Sequence, residues 1–335
     1  MGIGLKKIAE QVIVITGASS GIGLATAQEA ARRGARVVLV SRDEADVSRA
    51  AEDIRGAGGR AVHAVADVAD FDAMQAVGEL ALREYGRVDS WINNAGVSIY
   101  GQIRDVALED ARRLFETNYW GVVHGSLVAL PILERHGGAL INVGSVLSET
   151  GYPLQGHYAA SKHAVKGFTD SLRVELQKTG APVSVTLIQP AAIDTPYTEH
   201  AQNYLMAEPK HAAPVYDPEL VADAILECAE HPHRNLRVGG GAKMFTMMEK
   251  VAPGLADRMK LSHFDQMHSD RPPRHRATLH RPRAGDGRVH GEYPGRVMRT
   301  SAYTAMAKRP LGTVLGLAAL GVGIYAARSL MSERD

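Results

Sequence analysis

Residues 11–34 read QVIVITGASSGIGLATAQEAARRG, and this stretch decides the fold. Gln11 to Ile15 is an apolar run of strand length. Thr16 to Gly23 is a glycine-rich turn, an alanine-rich segment continues from it as helix to Arg33, and Gly34 supplies a helix stop. Strand, glycine turn and helix in immediate succession make a phosphate cradle at a helix N-terminus. Gly17, Gly21 and Gly23, with Ile22 between the last two, let the backbone approach a pyrophosphate. Ser19 and Ser20 add hydroxyl donors. A glycine turn that binds nothing is the bland alternative, and the flanking pattern weighs against it.

Outward from this unit the same alternation repeats. Arg36 to Ser41 (RVVLVS) is a second strand, with Arg42 directly after it. At such a strand tip an acid would hold a ribose 2′-hydroxyl, whereas an arginine suits a 2′-phosphate. Ser41 and Arg42 stand there and Asp43 comes one step later, so the pattern favours NADP over NAD and leaves NAD open. A helix from Asp43 to about Arg55 follows. A third strand (AVHAVAD) leads to Asp67 and Val68, a helix spans Asp70 to Tyr85, and a fourth strand runs from Val88 to Ile92 into Asn93-Asn94-Ala95-Gly96. Leu108 to about Leu133 is helical and contains Asn118, unfavourable in a helix interior without a partner. Val183 to Gln189, Glu219 to Glu230 and Asn235 to Val238 extend the series, whereas residues 197–216 lack a period and suit a mobile substrate loop. Strands alternating with helices predict an α/β fold, a doubly wound parallel sheet of about seven strands covered on both faces.

The second informative stretch is ALINVGSVLSETGYPLQGHYAASKHAVKGF, residues 139–168. A buried strand ends at Ser145, where open α/β sheets place their ligands. A helix starts near His157, and Tyr158 and Lys162 stand four apart on one face of it. A phenol beside an ammonium, with a hydroxyl upstream, is a proton-transfer constellation. By itself a Tyr-x-x-x-Lys pair is weak, because an exposed tyrosine lying on a lysine stem is common. The dinucleotide cradle elsewhere in the chain gives it weight.

Composition removes other classes. The net charge of +1 and the 5% aromatic content give no pull toward nucleic acid. The lone Cys228 has no internal disulfide partner, which predicts a reducing, cytoplasmic setting and a core role for that thiol. Val12 to Ile15 is too short for a secretory signal, and Lys6 breaks a myristoylation pattern. The histidines lack metal-site spacing, so no metal is assigned.

With these motifs in hand the chain, over residues 8–240, resembles the short-chain dehydrogenase/reductases, which implies a Rossmann fold. The glycine turn Thr16 to Gly23, the Asp67-Val68 pair, the Asn-Asn-Ala-Gly turn, Ser145 and Tyr158-x-x-x-Lys162 occur in the family's order and at its spacing. The resemblance implies that Gly17, Ser19, Ser20, Gly21, Ile22 and Gly23 bind the pyrophosphate, and that Asp67 and Val68 meet the adenine. Asn94 supports the cofactor, and Pro190, Ile193 and Thr195 line its nicotinamide end. Asn118, Ser145, Tyr158 and Lys162 form a catalytic tetrad. Tyr158 is the general acid and base, Ser145 holds the carbonyl oxygen, Lys162 binds the ribose and lowers the phenol's pKa, and Asn118 positions a water. Ala191 replaces the family's usual glycine after Pro190. The implied activity is an NADP(H)-dependent interconversion of a ketone or aldehyde with its alcohol. A tethered cofactor-binding protein without turnover is the alternative, disfavoured by the intact tetrad. Pairing into a homo-oligomer is expected through the helix after His157, where Ala160, Ala164, Gly167 and Ser171 recur.

After Gly241 the character changes. Residues 242–269 carry Met244, Phe245, Met247, Met248, Val251, Leu255 and Met259 at helical spacing, the signature of a packing face. Residues 270–306 read as a basic flexible linker, with eight arginines against three acids between 270 and 299. Leu311 to Ala327, within an apolar tail of 307–330, holds no charge over seventeen residues. As a helix it would be about 26 Å long, against a hydrocarbon core of about 30 Å. Lys308, Arg309 and Arg328 flank it, so it is a candidate membrane anchor on the cytoplasmic side. A buried soluble helix is the alternative, for which four glycines are a poor composition.

Overall fold

In a computed structural model, which describes residues 3–264, 267, 269–274 and 277–308, the chain alternates as expected. β1 (Val12–Thr16), α1 (Gly21–Arg32), β2 (Arg36–Ser41), α2 (Glu44–Gly56), β3 (Arg60–Val65), α3 (Phe71–Tyr85) and β4 (Ser90–Asn93) form the first half. After the short β5 (Ile99–Tyr100) come α4 (Leu108–Phe115), a π-helical turn (Glu116–Trp120), α5 (Gly121–Leu133) and β6 (Gly138–Val143). Then follow α6 (Gly156–Thr179), β7 (Val183–Pro190), β8 (Ala192–Ile193), α7 (Tyr197–His200), β9 (Gln202–Asn203) and β10 (Val215–Tyr216). The chain continues through α8 (Pro218–Glu230), β11 (Asn235–Val238), α9 (Gly240–Val251), α10 (Pro253–Phe264), β12 (Val297–Met298) and α11 (Ala302–Lys308).

Seven strands build one parallel sheet in the order β11-β7-β6-β4-β1-β2-β3. Helices cover both faces, so central strands read as unbroken apolar runs: all five residues of β1 are buried. One core layer joins α1, α2 and α8 to the sheet, the other α3, α5 and α6. Local chemistry sets the element ends. Asp43, Asp70 and Asp217 cap α2, α3 and α8 with carboxylates that accept backbone N–H groups. Gly86 closes α3 in the left-handed conformation. Chain order reverses between β1 and β4, and the crevice beyond their carboxyl ends is where such sheets take ligands.

The expectation of a flexible linker is corrected for its described residues. Residues 277–308 lie along the catalytic domain as a strap. Arg42 donates to the carbonyls of Thr278 (2.6 Å) and Leu279 (3.2 Å), and His280 meets Asp110 at 2.7 Å. Buried Asp46 accepts the N–H groups of Gly285 and Asp286. The N–H of Gly21, in the glycine turn, donates to Arg288 O at 2.9 Å. β12 pairs with β10, which pairs with β8, so the strap re-enters a small parallel sheet. In α11, Thr304 accepts the Gly239 N–H and Lys308 pairs with Asp223. The basic side chains and backbone amides find acids and carbonyls of the domain, and composition alone shows no such partner. The apolar tail, residues 311–327, lies outside the described residues. Among the described residues no helix is long and apolar enough to cross a membrane.

Candidate active site

One cleft, of about 580 Å³, runs along the carboxyl ends of the central strands. At one end stands the glycine turn. Gly17 adopts φ +65°, and a Cβ there would lie 2.8 Å from Ala95 Cα. A Cβ on Gly23 would strike Gly17 O at 2.1 Å. The turn can therefore close against β4 only as glycine. Asn94 clips it from the other side, its Nδ2 donating to Thr16 O and Gly17 O. Ser20 precedes α1 without capping it, and Ser19, Ser20, Gly21 and Ile22 line the cleft beside the helix N-terminus. This cradle of close backbone and hydroxyls fits a dinucleotide pyrophosphate.

Beside the turn, at the end of β2, Ser41 donates to Ser19 (2.9 Å), and Asp67 lies between two arginines, with Arg113 in contact and Arg42 at 3.8 Å. Val68 is buried on the cleft wall. Arg42 is largely engaged by the strap carbonyls, yet it still lines the cleft. At the opposite end Pro190, Ala191, Ile193 and Thr195 form a wall, with Thr195 packed 3.2 Å from where a Gly21 Cβ would be.

Between the two ends sit Ser145, Tyr158 and Lys162. Ser145 caps a short 3₁₀ turn (Val146–Ser148); its Oγ accepts Leu147 N–H, leaving its own hydrogen to give away. The Tyr158 ring stands edge-on to the Tyr197 ring, their centres 5.5 Å apart. Lys162 is buried, donates to Val143 O at 2.9 Å, and stands 5.7 Å from the centre of the Tyr158 ring. Burial lowers its pKa from 10.5 to about 8. The expectation that Lys162 draws Tyr158 toward neutrality needs revision for the protein by itself. Burial pushes the phenol upward, opposed by the neighbouring hydroxyls of Tyr197 and Ser145. Asn118 sits in the π-helical turn, its amide committed to Val97 N and O and to Ser161. Its side chain thus braces the floor of the site. The position of a Cβ on Gly96 lies 3.5 Å from Asn118 Oδ1 and 3.7 Å from Lys162 Nζ, so both flank the same glycine.

Residues that sequence reasoning missed are Tyr197, Gln155 and Ser98 beside Tyr158, and Thr278, Pro282, Arg283 and Asp286 of the strap, which roof the cleft. Tyr197 follows Thr195-Pro196 in the stretch read as a substrate loop, a signal that was present. Nothing in the sequence pattern marks the strap. The remaining walls mix the apolar and aromatic Tyr100, Tyr152, Leu147, Met259 and Met267 with the polar Thr117, His200, Lys210 and His211. Among the described residues the one triad with metal-ligand reach, Asp217, Glu219 and His290, is largely exposed and lies outside these cleft walls.

Comparison with known proteins places this site in context. A family model described as short chain dehydrogenase matches residues 11–204. An uncharacterized oxidoreductase of Bacillus subtilis, YxnA, is 44% identical over 324 residues, covering 94% of this chain and 90% of its own. The 3beta-hydroxysteroid dehydrogenase of Mediterraneibacter gnavus is 34% identical over 193 residues, 57% of this chain and 69% of that one. Among solved structures, a short chain dehydrogenase/reductase from Burkholderia phymatum in complex with NAD superposes with a TM-score of 0.65. It has 26% identity and covers 81% of this chain and 98% of that chain.

Proposed function

This chain belongs to the short-chain dehydrogenase/reductase family and is an oxidoreductase acting on CH–OH groups with NAD or NADP as acceptor; from that premise we propose that it is an NADPH-preferring carbonyl reductase with Tyr158 as its acid and base. The observation that carries the reading is the meeting of Tyr158, Ser145 and Lys162 midway along the cleft that opens at the glycine turn. The bound nicotinamide supplies or takes the hydride. In reduction Tyr158 gives its proton to the carbonyl oxygen as that oxygen becomes alkoxide, while Ser145 orients it. In oxidation the phenolate takes the alcohol proton. Lys162, charged below a pH of about 8, holds the ribose hydroxyls and, together with the positive nicotinamide of the oxidised cofactor, favours the phenolate. Asn118 fixes the backbone around Val97 against which these groups stand.

Arg42 and Ser41 at the tip of β2 support NADP, because a guanidinium can hold a phosphate through two hydrogen bonds. The apolar, tyrosine- and methionine-lined wall supports a bulky apolar ketone or secondary alcohol, in keeping with the hydroxysteroid dehydrogenase relative. The exposed face of α6, with Ala160, Gly167, Ser171 and Val174, and the neighbouring Trp120 and Leu127 support pairing of two copies. The uncharged stretch 311–327 supports membrane attachment.

The reading is tested with purified protein, NADPH and a panel of ketones that includes steroid ketones. NADPH oxidation should be measurable, and Tyr158→Phe should remove it while NADPH binding by fluorescence persists. A Tyr158→Phe protein that turns over within about tenfold of the parent sinks the assigned role. Equal affinity of the parent for NADH and NADPH sinks the cofactor preference.

A further inference from the structure

The strap crosses the cleft, and one residue of it touches both walls. Thr278 O accepts from Arg42 at the tip of β2 at 2.6 Å. Thr278 N donates to the carbonyl of His200, the last residue of α7, at 2.9 Å. β2 lies on one side of the crevice between β1 and β4, and β7, which leads into α7, lies on the other. Further along, the strap bridges the walls again. Gly285 and Asp286 donate to Asp46 of α2, and Arg288 O takes the Gly21 N–H. On the α7 side the Asp286 carboxylate meets His200 Nε2 at 3.5 Å, and Arg288 pairs with Glu199.

Leu279 seats the first crossing. It is buried in the core cluster that holds Val97, Leu114, Leu147 and Tyr158, and His280 beside it pairs with Asp110 at 2.7 Å. Both crossings pass over the stretch of cleft lined by Ser19, Gly21, Ser41 and Arg42. A dinucleotide held by that cradle lies under a closed loop of chain. The nicotinamide end has a mouth of its own. Ala213 and Pro214 line the cleft there and are exposed, just before β10, which pairs with β8. Substrate and product can pass Ala213 and Pro214 while the strap stays seated.

We propose that the strap is a belt that retains the cofactor between turnovers, so that the protein passes a hydride from one substrate's alcohol to another substrate's carbonyl faster than it releases NADP. This goes beyond the function proposed above and rests on it. In the first half Tyr158, as phenolate, takes the proton of a secondary alcohol while the carbinol hydride passes to the bound oxidised nicotinamide, leaving a ketone. In the second half Tyr158 returns that proton to the oxygen of a different carbonyl, and the same hydride goes to its carbon. One hydride and one proton move from alcohol to carbonyl, and no outside oxidant or reductant is consumed. Net oxidation of free NADPH still proceeds, at the rate at which the belt parts. Release of a bound product is a common slow step where a segment must open.

The test uses the full chain loaded with NADPH. Rapid mixing with the best ketone of the panel above should oxidise about one NADPH per site in a burst, since such kinetics separate chemistry from release. The slower steady rate that follows should equal the NADP off-rate measured by stopped-flow displacement. His280→Ala, which loosens the strap from outside the cleft, should raise the off-rate and the steady rate together and leave the burst rate as it was. Asp46→Ala should raise the off-rate too. In a second experiment the next-best ketone is supplied as its carbinol-deuterated alcohol, together with the best ketone and NADPH. Mass spectrometry should find deuterium in the new alcohol and almost none in the free NADPH. Steady turnover without a burst, with an off-rate above it, overturns the inference. So does deuterium that reaches the free NADPH as fast as the product, or an off-rate unmoved in both variants although exchange at residues 285–288 quickens. A chain that binds no NADPH overturns the function proposed above and the belt with it. A chain that binds NADPH and releases it faster than it turns over overturns the belt alone.

Discussion

At the residue scale the site trades stability for chemistry. Lys162 is buried and its pKa falls from 10.5 to about 8. Between those values the unfolded chain binds more protons than the folded one, so stability rises with pH across that window. The penalty stands in full below a pH of about 8, and the shift corresponds to roughly 3 kcal/mol. Lys162→Met should therefore raise stability near neutral pH, by roughly 1–2 kcal/mol once the orphaned Val143 carbonyl is counted. The gain should fade toward pH 10.5 while activity is lost throughout. Urea melts without added cofactor, at several pH values, check the sign: destabilisation near neutrality would show that the ammonium is better solvated than its surroundings imply. Gly23 gives a second expectation. A Cβ there meets Gly17 O at 2.1 Å and Asn94 Nδ2 at 2.6 Å, both parts of the cradle wall. Gly23→Ala should abolish cofactor binding measured by fluorescence and destabilise by about 1–3 kcal/mol, and unchanged affinity would contradict the cradle.

At the element scale the strap and α2 hold each other. Asp46 lies in the first turn of α2, is buried, and spends its carboxylate on Gly285 N, Asp286 N and Arg49. Removing it leaves two strap N–H groups without an acceptor, at about 1–3 kcal/mol for each that stays buried. Asp46→Ala should thus speed hydrogen exchange at residues 285–288 far more than in β1 or β6. Because Asp286 and Arg283 roof the cleft and Arg288 O accepts the Gly21 N–H, NADPH should also leave faster, on the order of tenfold by stopped-flow fluorescence. Exchange confined to the ends of α2, with an unaltered off-rate, would show that the strap is held elsewhere. The π-helical turn at Glu116–Trp120 is a smaller device of the same kind. It interrupts the helix expected over 108–133 and directs Asn118 to Val97 and Ser161.

At the scale of the whole molecule, the seven-stranded domain, the strap and α11 form one packed body. Beyond it comes the uncharged stretch 311–327. A chain ending at Met306 loses Lys308, which pairs with Asp223, and all of that stretch. If the stretch anchors the protein, the full chain should sediment with membranes and the shortened one should not. Both proteins remaining in the aqueous fraction without detergent would set the anchor aside. Light scattering on the shortened protein at micromolar concentration tests pairing through α6. A monomer there would contradict it.

The sequence by itself determined the sheet, its helices and the glycine turn, because those depend on patterns local to the chain. The β1 run, the glycines at 17, 21 and 23, and the aspartate caps act within a few residues of where they stand. The four-residue spacing of Tyr158 and Lys162 likewise needs only a helix. Tertiary structure alone decided what surrounds them. Tyr197 meets Tyr158 across 39 positions, Arg42 meets Thr278 across 236, and Asp46 meets Gly285 across 239. None of these pairs shares a helix face or a strand register. An arginine-rich, proline-rich stretch has no hydrophobic period of its own, so its sequence resembles a linker. It takes on structure because the acids, carbonyls and β10 edge that satisfy it belong to elements far back in the chain. The placement of Tyr197 is of the same kind: its ring meets Tyr158 and its hydroxyl takes the Gln155 amide hydrogen, neighbours that only the fold brings together.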